Sequence, residues 1–182
     1  MEWRNLVEVQ QKIASLLGDK GVRWEPASNL RITLKFLSEM FEAHILSIIE
    51  AGEIVGRDIF ALDPNLKSLG FFRNKERPTI IWAKVGEGLP LLHRIAELLD
   101  SRLEERGCAK EDRSYQPHLT LAKSNDCMID FKLETLKSEL EKESKTVDKI
   151  CIFRVSSFVL VRSDANSEGS KHSTLKEFAL RN

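Results

Sequence analysis

The chain has 182 residues, 42% hydrophobic and 31% charged, with a formal net charge of +0. That balance excludes a disordered chain, and it excludes bulk charge as a pull toward nucleic acid, so any polyanion would be held by a local basic patch. No apolar run nears the roughly 18 residues needed to span a bilayer, and "MEWRNLVEVQQKIASLL" is not a signal peptide, so the expected location is cytoplasmic, with no membrane partner. Cys108, Cys127 and Cys151 are widely spaced and odd in number, which supports neither a disulfide framework nor a zinc pattern.

In chain order, residues 5–18 read as an amphipathic helix, with Leu6, Val9, Ile13, Leu16 and Leu17 on one side and Gly18 as the stop. "VRWEP" is a short strand ending at Pro26. Residues 30–37 alternate Arg31, Thr33 and Lys35 with Ile32, Leu34 and Phe36, the pattern of a half-buried strand. "MFEAHILSIIEAGEIVG" is a helix with Phe41, Ile45, Ile48 and Ile49 on one side. "IFALDPNLKSLGFF" is extended, "RNKERP" a charged loop, and "PTIIWAKV" a buried strand that puts Trp82 in the core. "LPLLHRIAELLDSRLEERG" is a helix ending at Gly107, with His93, like His44 before it, on a helix surface.

The second half repeats the theme. The loop "CAKEDRSYQP" leads into a strand at 118–123, followed by a helix near 131–142 and a long β-region, "VDKICIFRVSSFVLVRS". "DANSEGSKHS" reads as a hairpin turn before the last strand, "TLKEFAL". The expectation is an α+β fold: one bilobal domain over 1–182, with two similar lobes of antiparallel sheet plus helices.

Two strands match. Arg31 and Thr33 share one strand face, and His118 and Thr120 share another, because side chains at i and i+2 point the same way. Their partners Ile32, Leu34, Leu119 and Leu121 turn toward the core. A pseudo-two-fold relation between the halves would set the two polar pairs across a cleft.

"NLRITLKFL" and "QPHLTLAK" resemble the paired His-x-Thr-x motifs of the two-histidine (2H) phosphoesterases. The likeness is to the LigT-like branch, RNA 2′,3′-cyclic phosphodiesterases also called 2′-5′ RNA ligases. "VRWEPASNL", "GFFRNKERPTIIWAKV" and "TLKEFAL" are similar to that branch in type and order, so the resemblance covers residues 5–182. It implies two α+β lobes around a central cleft, each lobe presenting one motif strand. The implied reaction, without cofactor or metal, opens a 2′,3′-cyclic phosphate at an RNA end to a 2′-phosphate. Two imidazoles suit the acid and base roles because their pKa lies near neutral, and two threonine hydroxyls suit the non-bridging oxygens.

Carried over by position, His118 matches the histidine that activates water, and Thr33 and Thr120 match the phosphate-holding threonines. Lys123 stands where a basic residue often meets the end phosphate. Phe72 stands where a ring could stack a base, and Arg73, Lys75 and Arg77 where RNA phosphates would pass. Arg31 replaces the first histidine. Guanidinium binds phosphate well but donates a proton poorly. His172, after the expected turn, is a candidate substitute acid. The family also opens with an apolar strand that "MEWRN" does not supply. A missing strand would leave an edge open to dimerisation; a monomer is otherwise expected. Three readings stay open: a cyclic phosphodiesterase impaired by Arg31, a module that binds phosphorylated RNA ends or nucleotides without turnover, and a structural protein. Thr33, Thr120 and His118 speak against the third.

Overall fold

The structure of the protein is a computed structural model that describes residues 4–17, 22–37, 44–74, 77–111, 114–124, 138, 141–142, 152–166 and 169–182. It has the mixed α/β architecture with antiparallel sheets that the sequence suggests, divided into two compact units. The first comprises Met1–Thr33, Pro64–Leu89 and Pro117–Phe153, and the second Leu34–Asp63, Pro90–Gln116 and Arg154–Asn182. No helix among the described residues is long and apolar enough to cross a membrane.

The first unit holds helix α1 (Arg4–Leu17) and strands β1 (Val22–Trp24), β2 (Leu66–Asn74), β3 (Arg77–Val85) and β4 (His118–Ser124). The strands form one antiparallel sheet in the order β1-β4-β3-β2. Alternation along β3 and β4 sends Ile81, Ala83, Val85, Leu119 and Leu121 to a face where each is at most 1% exposed. Helix α1 lies against this sheet. Leu6 and Ile13 are fully buried, and between them on the same helix face Gln10 hydrogen-bonds to the sheet backbone. Each buried Leu or Ile contributes about 1.5–3 kcal/mol relative to exposure, so this apolar layer dominates the unit's stability.

The second unit holds α2 (Ile45–Asp58), α3 (Leu89–Glu104, from Pro90 onward) and a hairpin of β5 (Ser157–Asn166) and β6 (Gly169–Ala179). Helix α3 ends as expected near Gly107. Gly107 takes φ 81°, its N–H bonds the Glu104 carbonyl, and the Cys108 N–H bonds the Leu103 carbonyl. This is the doubled closure that a left-handed glycine permits. In the same unit Lys35 pairs with Asp100 of α3 and donates to the Ala109 carbonyl at 3.0 Å.

Several expectations need correction. The strand expected over 30–37 is reduced to a single bridge, Ile32 to Leu119. Pro26 has no N–H to continue the ladder, and a 3-10 turn, Ala27–Asn29, carries the chain off the sheet before it returns. "RNKERP" is mostly strand, since Asn74 pairs with Arg77 where β2 turns into β3. The polar segment 164–173 is likewise mostly ladder, pairing to Asn166–Gly169. His93 meets the Tyr115 ring edge-on at 5.4 Å and is not a bare surface group. The helix expected near 131–142 lies outside the described residues except for 138 and 141–142, which are helical. Phe41, Cys127 and Cys151 also lie outside them.

Candidate active site on the outer face of the first sheet

The edge of β4 is shared by two segments. Near its C-terminal end β1 pairs Val22 with Ser124, Arg23 with Lys123 and Trp24 with Ala122. After the 3-10 turn the chain rejoins the same edge, where Ile32 faces Leu119 in antiparallel sense. Continuing that register one residue each way sets Thr33 beside His118 and Arg31 beside Thr120. That register would put Ile32 on the face of the fully buried Leu119 and the four polar side chains on the other; Ile32 and all four of them are half-buried. All four candidate residues belong to the first unit. The boundary between the units runs between Thr33 and Leu34, within the first motif segment.

A bulge in β4 adds a fifth residue. Ile81 pairs with Ala122 and Trp82 with Thr120, leaving Leu121 as the extra residue. Strict alternation from His118 and Thr120 would send Lys123 into the core. The bulge turns both Leu121 and Ala122 inward, and Lys123 returns to the polar face, half-buried. Its ammonium lies 3.2 Å from a Glu25 carboxylate oxygen. The bulge is fastened from both sides. The Glu25 N–H donates to the Leu121 carbonyl at 2.9 Å, and the Gln10 side-chain N–H₂ donates to the carbonyls of Leu121 at 3.1 Å and Glu25 at 3.0 Å.

Arg31 is oriented locally, its Nε donating to the Asn29 carbonyl at 3.0 Å. Burial holds its pKa below the ordinary guanidinium value, while the negative charge of Glu25 acts in the opposite direction. A guanidinium remains charged through the neutral range, which suits anion binding better than proton donation.

Aromatic rings wall the same face. Trp82 pairs with Thr120 and lies over Gly70, where an added Cβ would stand 2.6 Å from the indole. Its indole N–H is buried without a hydrogen-bond partner among the described residues. Phe72 stacks on Trp82 at 4.9 Å between centroids and meets the His118 ring edge-on at 5.2 Å. Trp82, expected in the core, is therefore a site-face residue. The apolar run around it hides a strand with two different faces. Lys84, exposed, pairs with His118 and adds a cation to that face. Arg73 is the next-to-last residue of β2 and Arg77 the first of β3, while Lys75 lies outside the described residues. His172 sits in β6 of the second unit, opposite Ser163.

Gln10, Glu25, Trp82 and Lys84 are absent from the sequence-derived site. Only Glu25 left a trace there, alternating with Arg23 on a strand next to the first motif. The adjacent apolar pair Leu121–Ala122, which interrupts alternation, was the available sign of the bulge.

The profile of the 2′-5′ RNA ligase superfamily matches residues 49–165, and that of the LigT-like phosphoesterases matches residues 3–82. A Methanocaldococcus jannaschii protein named RNA 2′,3′-cyclic phosphodiesterase is 30% identical over 174 residues, covering 96% of this chain and 94% of its own. An Aquifex aeolicus protein of the same name is 25% identical over 159 residues, covering 87% and 81%. Among solved structures, a Thermus thermophilus protein, TT0787, is similar with a TM-score of 0.75 at 24% identity, over 98% of this chain and 91% of that one. E. coli LigT in complex with 3′-AMP is similar with a TM-score of 0.67 at 20% identity, over 96% and 92%. The structural likenesses establish a LigT-like fold. With one family profile spanning well over half of its length and a near full-length relative at 30% identity, the chain belongs to the 2′-5′ RNA ligase superfamily.

Proposed function

We propose that the protein opens terminal 2′,3′-cyclic phosphates of RNA or nucleotides to 2′-phosphates, slowly, because its first motif residue is Arg31. The observation that carries this reading is the Ile32–Leu119 bridge, whose antiparallel register supports a shared face for two hydroxyls, an imidazole and a guanidinium. The names of the two relatives support the same chemistry.

In this reading Thr33 and Thr120 donate hydrogen bonds to the non-bridging phosphate oxygens, and Arg31 and Lys123 supply positive charge. His118 accepts a proton from water as the water oxygen bonds phosphorus. The bond from phosphorus to the ribose 3′ oxygen breaks, and that oxygen takes its proton from solvent while Arg31 stabilises its developing charge. Phe72, edge-on to the imidazole, fixes the ring plane of His118. The missing acid lowers the rate by up to the about 10²–10⁴-fold that positioned proton transfer supplies.

The test is incubation with adenosine 2′,3′-cyclic phosphate and with an RNA ending in a cyclic phosphate, read by phosphorus NMR. The expected product is the 2′-monophosphate, lost in His118→Ala. One observation favours a second reading: the permanently charged Arg31 suits binding better than turnover. Tight nucleotide binding with no product in any condition would select that binding-module reading.

A further inference from the structure

We propose that Glu25 is a specificity residue whose carboxylate, 3.2 Å from the Lys123 ammonium, shifts the site's preference away from a doubly charged phosphomonoester and toward a singly charged phosphodiester. The inference rests on the reading that this face binds nucleotide phosphate. It goes further in naming what tunes the charge of the ligand accepted.

Glu25 is the one carboxylate among the described residues of a face that otherwise carries Arg23, Arg31, Lys84 and Lys123. Its side chain is only 17% exposed. Its backbone is held at both ends of the residue: the N–H by Leu121 and the carbonyl by Gln10. These bonds fix where the side chain leaves the backbone, and the ion pair with Lys123 holds the carboxylate on that face. It also lies close enough to Arg31 to favour that residue's charged form, so one negative charge acts on both cations beside the phosphate position.

A cradle of two cations and no counter-charge would hold a dianion more tightly than a monoanion. For the proposed reaction that order is unfavourable, since the substrate diester carries one charge and the product monoester carries two above its second pKa of about 6. A fixed carboxylate repels the dianion about twice as strongly as the monoanion at the same distance. Glu25 thus weakens product binding more than substrate binding, and a phosphate entering the site must compete with the carboxylate for Lys123.

The test compares wild-type protein with Glu25→Gln, and with Glu25→Ala as a second neutral variant should the first not fold. Displacement of a fluorescent nucleotide at about pH 8 gives affinities for adenosine 2′-monophosphate and adenosine 2′,3′-cyclic phosphate. Phosphorus NMR on each sample checks that the cyclic phosphate is intact at the reading. The expected result is a tightening of about 10-fold for the monophosphate and about 3-fold for the cyclic diester, with Glu25→Asp close to wild type. An equal change for both ligands, or none for either, overturns the proposal while leaving the nucleotide-binding reading in place. Failure of the wild type to bind either ligand overturns both.

Discussion

Gln10→Met tests whether α1 fastens the bulge that presents Lys123. Methionine keeps the length and most of the volume of glutamine and removes the two donated hydrogen bonds, to Glu25 at 3.0 Å and to Leu121 at 3.1 Å. Gln10 is 7% exposed, so water cannot easily replace them. The Leu121 carbonyl keeps its bond from the Glu25 N–H, whereas the Glu25 carbonyl loses the side-chain donor. At about 0.5–1.5 kcal/mol net per bond, the loss is about 1–3 kcal/mol of unfolding free energy. Urea denaturation followed by far-UV circular dichroism measures it, with the slope against urea unchanged if only stability has moved. Gln10→Glu supplies the sign. It sets a carboxylate against two carbonyl oxygens in a buried place and should cost more than methionine does. A methionine variant within about 0.5 kcal/mol of wild type, or a glutamate variant more stable than the methionine one, would refute the clamp.

Three further expectations concern single residues. Arg31→His restores an imidazole beside Thr120 and should raise turnover of a 2′,3′-cyclic phosphate by about 10- to 1,000-fold; a folded variant with no gain removes Arg31 as the cause of slow chemistry. Gly70→Ala drives a methyl into the Trp82 ring, should cost about 1–3 kcal/mol and should change the near-UV spectrum; an unaltered spectrum and stability would mean that the indole is not fixed there. Asp100 has its pKa raised by burial but lowered more by the Lys35 hydrogen bond, the Glu111 N–H and the charges of Lys35 and Lys110, for a net value below its ordinary 3.8. Its contribution to stability is therefore complete above that ordinary value and lost as pH falls through the depressed one, so an acid titration of stability should be shallower in Asp100→Asn than in wild type.

Local patterns in the sequence were enough for α1, α2 and α3 and for the shared strand of His118 and Thr120. Leu6 and Ile13, or Leu92, Ile95, Ala96 and Leu99, mark buried helix faces by spacing alone, and Gly107 marks a stop. His118 and Thr120 share a face because a strand allows nothing else. Whatever depended on a partner strand was hidden. The alternation expected over 30–37 does not appear in burial: Arg31 to Leu34 are all half-buried, Phe36 is exposed and the Lys35 side chain is buried against Asp100, and only Ile32 bridges, because Pro26 and the 3-10 turn decide where the chain regains the edge. Lys123 reaches the site through a bulge whose one sign in the sequence is the apolar pair Leu121–Ala122, and whose register shows only against β3. Trp82 looked like core in an apolar run, and only its pairing with Thr120 shows which way it points. Gln10 makes its contacts with segments far along the chain, for which one-dimensional spacing has no signal, and Glu25 shows in the sequence only its alternation with Arg23.

The arrangement of β4 also sets an order of assembly. The β2–β3 and β5–β6 ladders join neighbours in sequence and close short loops, whereas β4 must return to β3 after α3, and residues 22–32 must reach β4 across nearly half the chain. Closing those long loops is entropically slow, so the edge that carries Arg31 and Thr33 is expected to form last and to rest on one bridge. Amide exchange should then show Ile32 and its neighbours opening at lower free energy than the β3–β4 ladder, well below global unfolding. A face with one firm strand and one lightly held edge can part and rejoin while the sheet beneath it stays intact.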